Sequence, residues 1–308
     1  MNTSGRAQGV FFGAASHTLW GVLPLYWKLL SPVNALHILG FRILCSLGLI
    51  ACLLLPRKNT RWIDLLKDPK KRLLVLGSAC MVTVNWGLYI WAVNAGHAVD
   101  ASLGYYINPL LSVILGLIFF RERLSPLQWA AFGCAVLGVV LVTAFTGIFP
   151  WIALGLALSF GLYGLLKKKI DAGSLEVLGA ETLLASPLAL LLIFFGGGGL
   201  EDFRGLSPRL WVLLLFAGAV TTAPLYCFAR GTKLLPLSAM GFIQFINPSI
   251  LLLIGIFLFG EPFPPAKIPA FACIWTAVAL YVISLFLDKK SRPGEIPPGR
   301  GVFRSAVD

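Results

Sequence analysis

The sequence predicts an all-α membrane protein, with ten transmembrane helices forming two inverted five-helix repeats and both termini in the cytoplasm. Three observations predict it. The 308-residue chain is 58% hydrophobic and 12% charged, against roughly 25% charged and 45–50% apolar in soluble chains. Its apolar residues gather into ten runs of about the 20 residues that a bilayer crossing requires. The chain also matches itself at an offset of 139 residues, so that Ile107-Asn108-Pro109 meets Ile246-Asn247-Pro248. This composition excludes a disordered chain, a secreted disulfide scaffold and a nucleic-acid module, and it makes lipid the solvent.

The helices are expected near 8–30, 33–55, 72–95, 101–120 and 126–145, then 150–168, 175–195, 209–230, 235–259 and 267–287. The first run holds Trp20 and Pro24 and is long enough to span, so it reads as a retained helix and not a cleaved leader. Ser31-Pro32 ends it, and the basic stretch Arg57 to Arg72 ends the second. Arg121-Glu122-Arg123 closes the fourth, and Ser125-Pro126 opens the fifth with a capping residue followed by proline at the first helical position. Thr146-Gly147 separates the halves, giving repeats over 1–146 and 147–287. The breaks Lys167-Lys168-Lys169, Gly196 to Gly199 and Glu261-Pro262 punctuate the second repeat. Residues 288–308 are Pro/Gly-rich and basic, without apolar period, and are expected to form a disordered tail.

The net charge of +12 is read by position, because basic residues of membrane proteins concentrate on the cytoplasmic side. With ten spans, the side opposite the termini holds only Lys28, Arg204, Arg209 and Lys267, and Arg42 lies within a helix. The other twenty of the 25 Lys and Arg fall on the amino terminus, the even-numbered loops and the tail. That asymmetry places both termini in the cytoplasm.

The repeat extends beyond the Asn-Pro pair. Gly116, Phe120 and Glu122 meet Gly255, Phe259 and Glu261, and Leu36, Leu39 and Gly40 meet Leu175, Leu178 and Gly179. Five helices per copy is an odd number, so the second copy enters the membrane from the opposite side. Inverted repeats of this kind build alternating-access carriers, with the site near the midplane between the halves.

Polar groups inside the bilayer are costly and point to function. Arg42 lies about nine residues into its helix, roughly 13 Å deep at 1.5 Å per residue, and its repeat partner is Glu181. Two readings stand side by side: a buried Arg42–Glu181 ion pair, or an arginine that receives a solute with a glutamate that titrates. On the first helix His17, Gly21, Pro24 and Lys28 form one stripe flanked by Trp20 and Trp27, which suits either close packing or a cavity wall. Tyr105, Asn108-Pro109 and Ser112 mark the fourth helix; Gln244 and Asn247-Pro248 mark the ninth. Proline frees a carbonyl four residues back, and a neighbouring Asn can satisfy it or face a ligand. Asn85 and Tyr89 share a face of the third helix, with Trp86 and Trp91 expected to point elsewhere. Candidate cavity residues are therefore Arg42, Glu181, Trp20, Asn85, Tyr89, Tyr105 and Gln244. Pro24, Pro109, Pro248, Asn108 and Asn247 are candidates for helix bends and gating. Glu122 and Glu261 end their helices and read as hinge residues.

Catalytic signatures are absent. The only histidines are His17, His37 and His97, without HExxH or GxSxG. The six cysteines lie in apolar runs without CxxC spacing, and the glycine run at 196–199 lacks the Lys-Ser/Thr of a phosphate loop. No cofactor and no metal is expected.

The stretches HTLWGVLPLYWKLL, HILGFRI, NWGLYIWAVNAGHAVDASLGYYINPLLSVILG, FGLYGLLKKK, EVLGAETLLASP and FIQFINP resemble the EamA-domain branch of the drug/metabolite transporter superfamily. Within it, they resemble the RarD-type permeases associated with chloramphenicol sensitivity. The resemblance covers about residues 8–287 and implies ten helices, a bacterial inner-membrane location and export of a small organic metabolite or drug-like solute. Small multidrug-resistance relatives carry a glutamate on the first helix, where this chain has His17 and Lys28. The expected solute is accordingly anionic, zwitterionic or neutral and polar-aromatic, with the lipid bilayer as the other partner and no nucleic acid. A channel-like facilitator and a non-transporting scaffold or sensor are the competing readings, and a homodimer is left open.

Overall fold

The computed structural model describes residues 3–95, 97–146, 150–259 and 268–291. Long helices account for nearly all of it: α1 (Thr3–Leu29), α2 (Ala35–Leu54), α3 (Pro69–Asn94), α4 (Ala98–Phe120), α5 (Pro126–Thr146), α6 (Trp151–Lys169), α7 (Ser174–Phe195) and α8 (Pro208–Leu234). They are followed by α9 (Leu237–Gln244), α10 (Ile246–Phe259) and α11 (Ile268–Ser291). No strand occurs among the described residues. Among the described residues nine helical segments are long and apolar enough to cross a membrane, α9 and α10 together forming one of them. The one long helix outside this group is α1, whose 27 residues include His17, Trp20, Pro24, Tyr26 and Trp27. These polar-edged side chains dilute its apolar character. Glu261 and Lys267 lie outside the described residues, as does the tail beyond Ser291; α11 itself runs past the expected helix end at 287.

The helices pack across the two halves of the chain. α2 packs on α7, α4 on α9 and α5 on α11, and each of these contacts joins a helix to its own repeat mate. The pair α1–α8 has its counterpart in α3–α6, because α6 is the mate of α1 and α8 the mate of α3. The connection between the halves is therefore intimate, and small residues permit it. At Gly218 of α8 an added Cβ would fall 2.4 Å from the Cys45 carbonyl carbon of α2. In the same place Ser46 Oγ donates to the Gly218 carbonyl at 3.1 Å. Close backbone approach of this kind is how helices associate without a hydrophobic driving force between them.

The ninth span differs from expectation. Instead of one helix over 235–259 it is two, α9 and α10, interrupted at Phe245, whose N–H turns back to Phe242 at 3.3 Å. Pro248 has no N–H to give to the Gln244 carbonyl, so the helical ladder opens at that turn. The repeat mate Pro109 lies inside α4, and Pro24 inside α1, with both helices continuous through them. The basic connection between α2 and α3 is also more ordered than a bare charged loop. A short 3-10 turn (Leu55–Arg57) and a helical turn (Arg61–Asp64) bring buried Trp62 against Gly179 of α7.

Candidate functional site

A cavity of about 160 Å³ lies between the halves. Its volume is close to that of cavities, about 150 Å³, that accept a benzene-sized guest. α1 contributes His17, Trp20, Pro24 and Trp27; α2 contributes Arg42; α3 contributes Asn85, Trp86 and Tyr89. From α4 come Tyr105 and Asn108, from α6 Phe160, and from the interrupted ninth span Gln244 and Asn247. The break at Phe245 sits between these last two. Two repeat-related pairs thus share one cavity, Tyr105 with Gln244 and Asn108 with Asn247.

Arg42 is held by a hydroxyl and two aromatic rings. Its Nε donates to Thr221 Oγ1 of α8 at 3.0 Å, and its guanidinium carbon lies 4.7 Å from the Trp27 ring and 4.6 Å from the Trp86 ring. Indole faces carry negative potential and attract a cation placed over them. Among the described residues no carboxylate makes an ion pair with Arg42, and none lines the cavity. Tyr89 and Tyr105 stand edge to face nearby, with ring centroids 6.1 Å apart.

The other candidates separate by what their polar atoms do. Asn85 Nδ2 donates to the Leu156 carbonyl at 2.8 Å and to Ser159 Oγ at 3.0 Å, so it ties α3 to α6 from the cavity wall. Trp20 packs against His17, Phe160 and Phe228, with centroids 5.2–5.6 Å away. Gln244 Nε2 donates to Ser112 Oγ of α4 at 3.0 Å, which aims its Oε1 away from that bond. Pro109 and Pro248 do not line the cavity, although their neighbours Asn108 and Asn247 do.

Glu181 corrects the expected pairing. Lys167 Nζ donates to its Oε2 at 2.6 Å and Ser78 Oγ donates to its Oε1, with Lys167 fully buried and Glu181 4% exposed. The carboxylate is outside the cavity lining. The offset relates Arg42 to Glu181 by inversion, and inversion sends equivalent residues to opposite ends of an antiparallel pair. Gly40 of α2 meets Ala189 and Ile193 of α7, whereas Gly179 of α7 meets Ile50 of α2. Arg42 is therefore level with the far end of α7, about 10 Å from Glu181 along the helix axis.

Sequence reasoning also missed Phe160 of the cavity wall and the roles of three further residues. Trp86, expected to point away from Asn85 and Tyr89, lines the cavity with them, because positions i, i+1 and i+4 span only one side of a helix. Trp27 was visible as a flank of the His17 stripe, but its pairing with Arg42 was not. Lys167 belongs to a basic run that reads as a topology signal, and no local pattern distinguishes the one lysine that turns inward. Among the described residues no group of three His, Cys, Asp or Glu side chains could hold a metal ion.

A helical bundle of this kind, with a cavity between interlocked halves, defines a multi-pass membrane protein of the transporter type. The chain belongs to the EamA-like transporter family, whose model matches it twice, over residues 7–144 and 148–283. It is 43% identical over 281 residues to the uncharacterized transporter YojE of Bacillus subtilis, covering 90% of this chain and 94% of that one. It is 38% identical over 292 residues to protein RarD of Escherichia coli K12, covering 94% and 99%. One solved crystal structure superimposes with a TM-score of 0.70 at 18% identity, over 90% of this chain and 98% of the other, a likeness of fold.

Proposed function

We propose that the protein is a secondary carrier that moves a small organic solute bearing an acidic group across the bacterial inner membrane by alternating access. In this reading α1 is the tenth span, both termini are cytoplasmic, and 1–146 and 147–287 are the two inverted repeats. Among anionic, zwitterionic and neutral polar-aromatic solutes, the observation that favours a negative charge is Arg42. A guanidinium beside two indole rings, in a cavity that no carboxylate lines among the described residues, has a charge for the solute to balance. A buried charge is tolerated only when it is paired or solvated.

The access state follows from the same topology. The cavity lies toward the helix ends bearing Trp27 and Trp151, and at the other end two consecutive lysines are engaged. Lys167 is bound to Glu181, and Lys168 Nζ lies 3.5 Å from Glu122. The lysine-bearing end is the cytoplasmic one in this reading, so the protein is closed on that side.

A thermal-shift screen of purified protein with aromatic and aliphatic carboxylates tests the assignment. A ligand at about 100 times its dissociation constant adds about 2.7 kcal/mol of stability. Stabilisation by a carboxylate that disappears in Arg42→Gln is the expected result, followed by saturable counterflow of that solute in proteoliposomes. Stabilisation by the corresponding neutral amides alone, undiminished in Arg42→Gln, overturns it. Flux of the solute without counterflow returns the protein to a channel-like facilitator.

A further inference from the structure

We propose that the connection between α2 and α3 is a docking platform for anionic phospholipid headgroups. The two spans that it joins, Ala35–Arg57 and Pro69–Ala92, are each long and apolar enough to cross a membrane, so the residues between them lie at its surface. Residues 57–72 carry seven Lys and Arg against two Asp. Lys67 is engaged by Asp64 at 2.7 Å. The other aspartate, Asp68, is turned to the backbone, where its Oδ1 accepts the Lys70 N–H at 2.9 Å and caps the start of α3. Arg57, Lys58, Arg61, Lys70, Lys71 and Arg72 are all exposed, and among the described residues none of them has an ion pair.

Cations on a loose loop can spread apart, but here the scaffold is fixed. Trp62 is buried against Gly179 of α7, and Leu65 is buried in a cluster with Val75 of α3, Ile170 and Val177. Asn59 bridges the two: its Nδ2 donates to Glu176 Oε1 of α7 at 3.0 Å, and its Oδ1 accepts the Arg61 N–H at 3.1 Å. Like charges held on such a scaffold repel one another unless counter-anions are at hand. The apolar residues among them say which anions those are. Leu55, Ile63 and Leu73 are 54%, 39% and 70% exposed, at both ends and in the middle of the segment. Large apolar side chains interleaved with Lys and Arg suit the boundary between headgroups and acyl chains, where the counter-anions are lipid phosphates. The long basic side chains lay their stems over apolar surface there and keep their charges at headgroup level. A net negative lipid is favoured over a zwitterionic one, whose own ammonium cancels the phosphate.

Thermal unfolding of the full-length protein in detergent, titrated with dioleoyl phosphatidylglycerol, tests the platform. The unfolding midpoint should rise and saturate with phosphatidylglycerol, and should move little with phosphatidylcholine or with inorganic phosphate. Two variants remove charge from opposite ends of the segment, Lys58→Gln with Arg61→Gln and Lys70→Gln with Lys71→Gln. Each should raise the half-saturating lipid concentration at least about tenfold, since one basic residue near an anionic surface counts for about fivefold. Arg121→Gln with Arg123→Gln removes two exposed cations from the connection between α4 and α5 and should leave that concentration within about twofold. No shift with phosphatidylglycerol, or an equal shift with phosphatidylcholine, overturns the proposal. A shift with inorganic phosphate alone makes the segment a site for a soluble anion and overturns it as a lipid platform. Equal weakening in the Arg121 and Arg123 control assigns the effect to overall charge and overturns it as well. None of these readings depends on a transported solute, so the carrier assignment stands or falls separately.

Discussion

The Glu122 side chain, at the end of α4, accepts the backbone N–H of Leu237 at 2.7 Å, 115 residues later in the chain. Its second oxygen accepts the Ser238 N–H at 2.9 Å. One carboxylate from the first half thus caps the opening turn of α9 in the second, where the helix presents unpaired N–H groups and the positive end of its dipole. Lys168, which also donates to the Leu235 carbonyl, adds a cation beside it. The expected hinge glutamate is in fact a clasp between halves. Glu122→Ala should lower stability by about 1–2 kcal/mol, the range for loss of a helix cap, and Glu122→Gln by less. Thermal unfolding in detergent reads this. In the carrier reading Glu122→Ala should also raise labelling of a cysteine placed at Ser238 from the cytoplasmic side, and unchanged labelling would assign the clasp to folding alone.

The Lys167–Glu181 pair makes a different prediction. Removing one member of a buried pair leaves a charge without compensation, at a cost of about 3–5 kcal/mol. Lys167→Met and Glu181→Leu should each destabilise by that order. The double variant should recover most of the loss, since the pair itself is close to neutral against an apolar replacement. A double-mutant cycle on unfolding measures it. Equal and additive losses would mean that Ser78 and Tyr163, which lies under Lys167 with its ring centre 5.2 Å from Nζ, already compensate each charge.

What the sequence reveals and what it hides follow from the range over which each signal acts. Spans, breaks and the repeat are local or self-similar, and Ile107-Asn108-Pro109 against Ile246-Asn247-Pro248 is enough to see two copies. The offset even nominates Tyr105 and Gln244 as partners, and both line the cavity. The pairing of Arg42 with Glu181 fails because a repeat identifies equivalent positions without saying which of them touch. Lys167 escapes notice for a related reason. Three lysines in a row share one local pattern, and only the packing of α3 and α7 decides that the first of them is fully buried. The interruption at Phe245 is half-legible, because Pro248 announces it while the identical Pro109 sits in a continuous helix.

Gly218 tests the seam between α2 and α8. A side chain there meets backbone, with Cys45 C at 2.4 Å and Ser46 N at 2.6 Å, so no flexible neighbour can give way. Gly218→Leu should destabilise by more than about 3 kcal/mol, beyond ordinary overpacking of about 1–3 kcal/mol, and Gly218→Ala by less. Gly133→Ala is the control, since nothing lies within 4 Å of its added Cβ. Folding yield and the unfolding midpoint should separate the two sites clearly.

The tryptophan pair around Arg42 yields the last prediction. Trp27 and Trp86 approach the guanidinium at 4.7 and 4.6 Å, and Thr221 Oγ1 accepts a hydrogen bond from its Nε. The rings stabilise the cation and also fix the plane in which its free N–H groups point. A planar fork donates in a bidentate manner to a carboxylate, which an ammonium does not. Arg42→Lys keeps the charge but loses the fork and most of the stacking, so it should weaken carboxylate binding about tenfold or more. Trp86→Leu should weaken it about two- to thirtyfold, in line with about 0.5–2 kcal/mol for a cation over an indole. Trp86→Phe should restore part of the loss, because the face is kept while its potential is reduced. The order native, Trp86→Phe, Trp86→Leu in carboxylate affinity, measured by calorimetry at one ionic strength, is the signature of an aromatic clamp. A Leu variant that binds as well as the native protein would leave the guanidinium held by Thr221 and its backbone position alone.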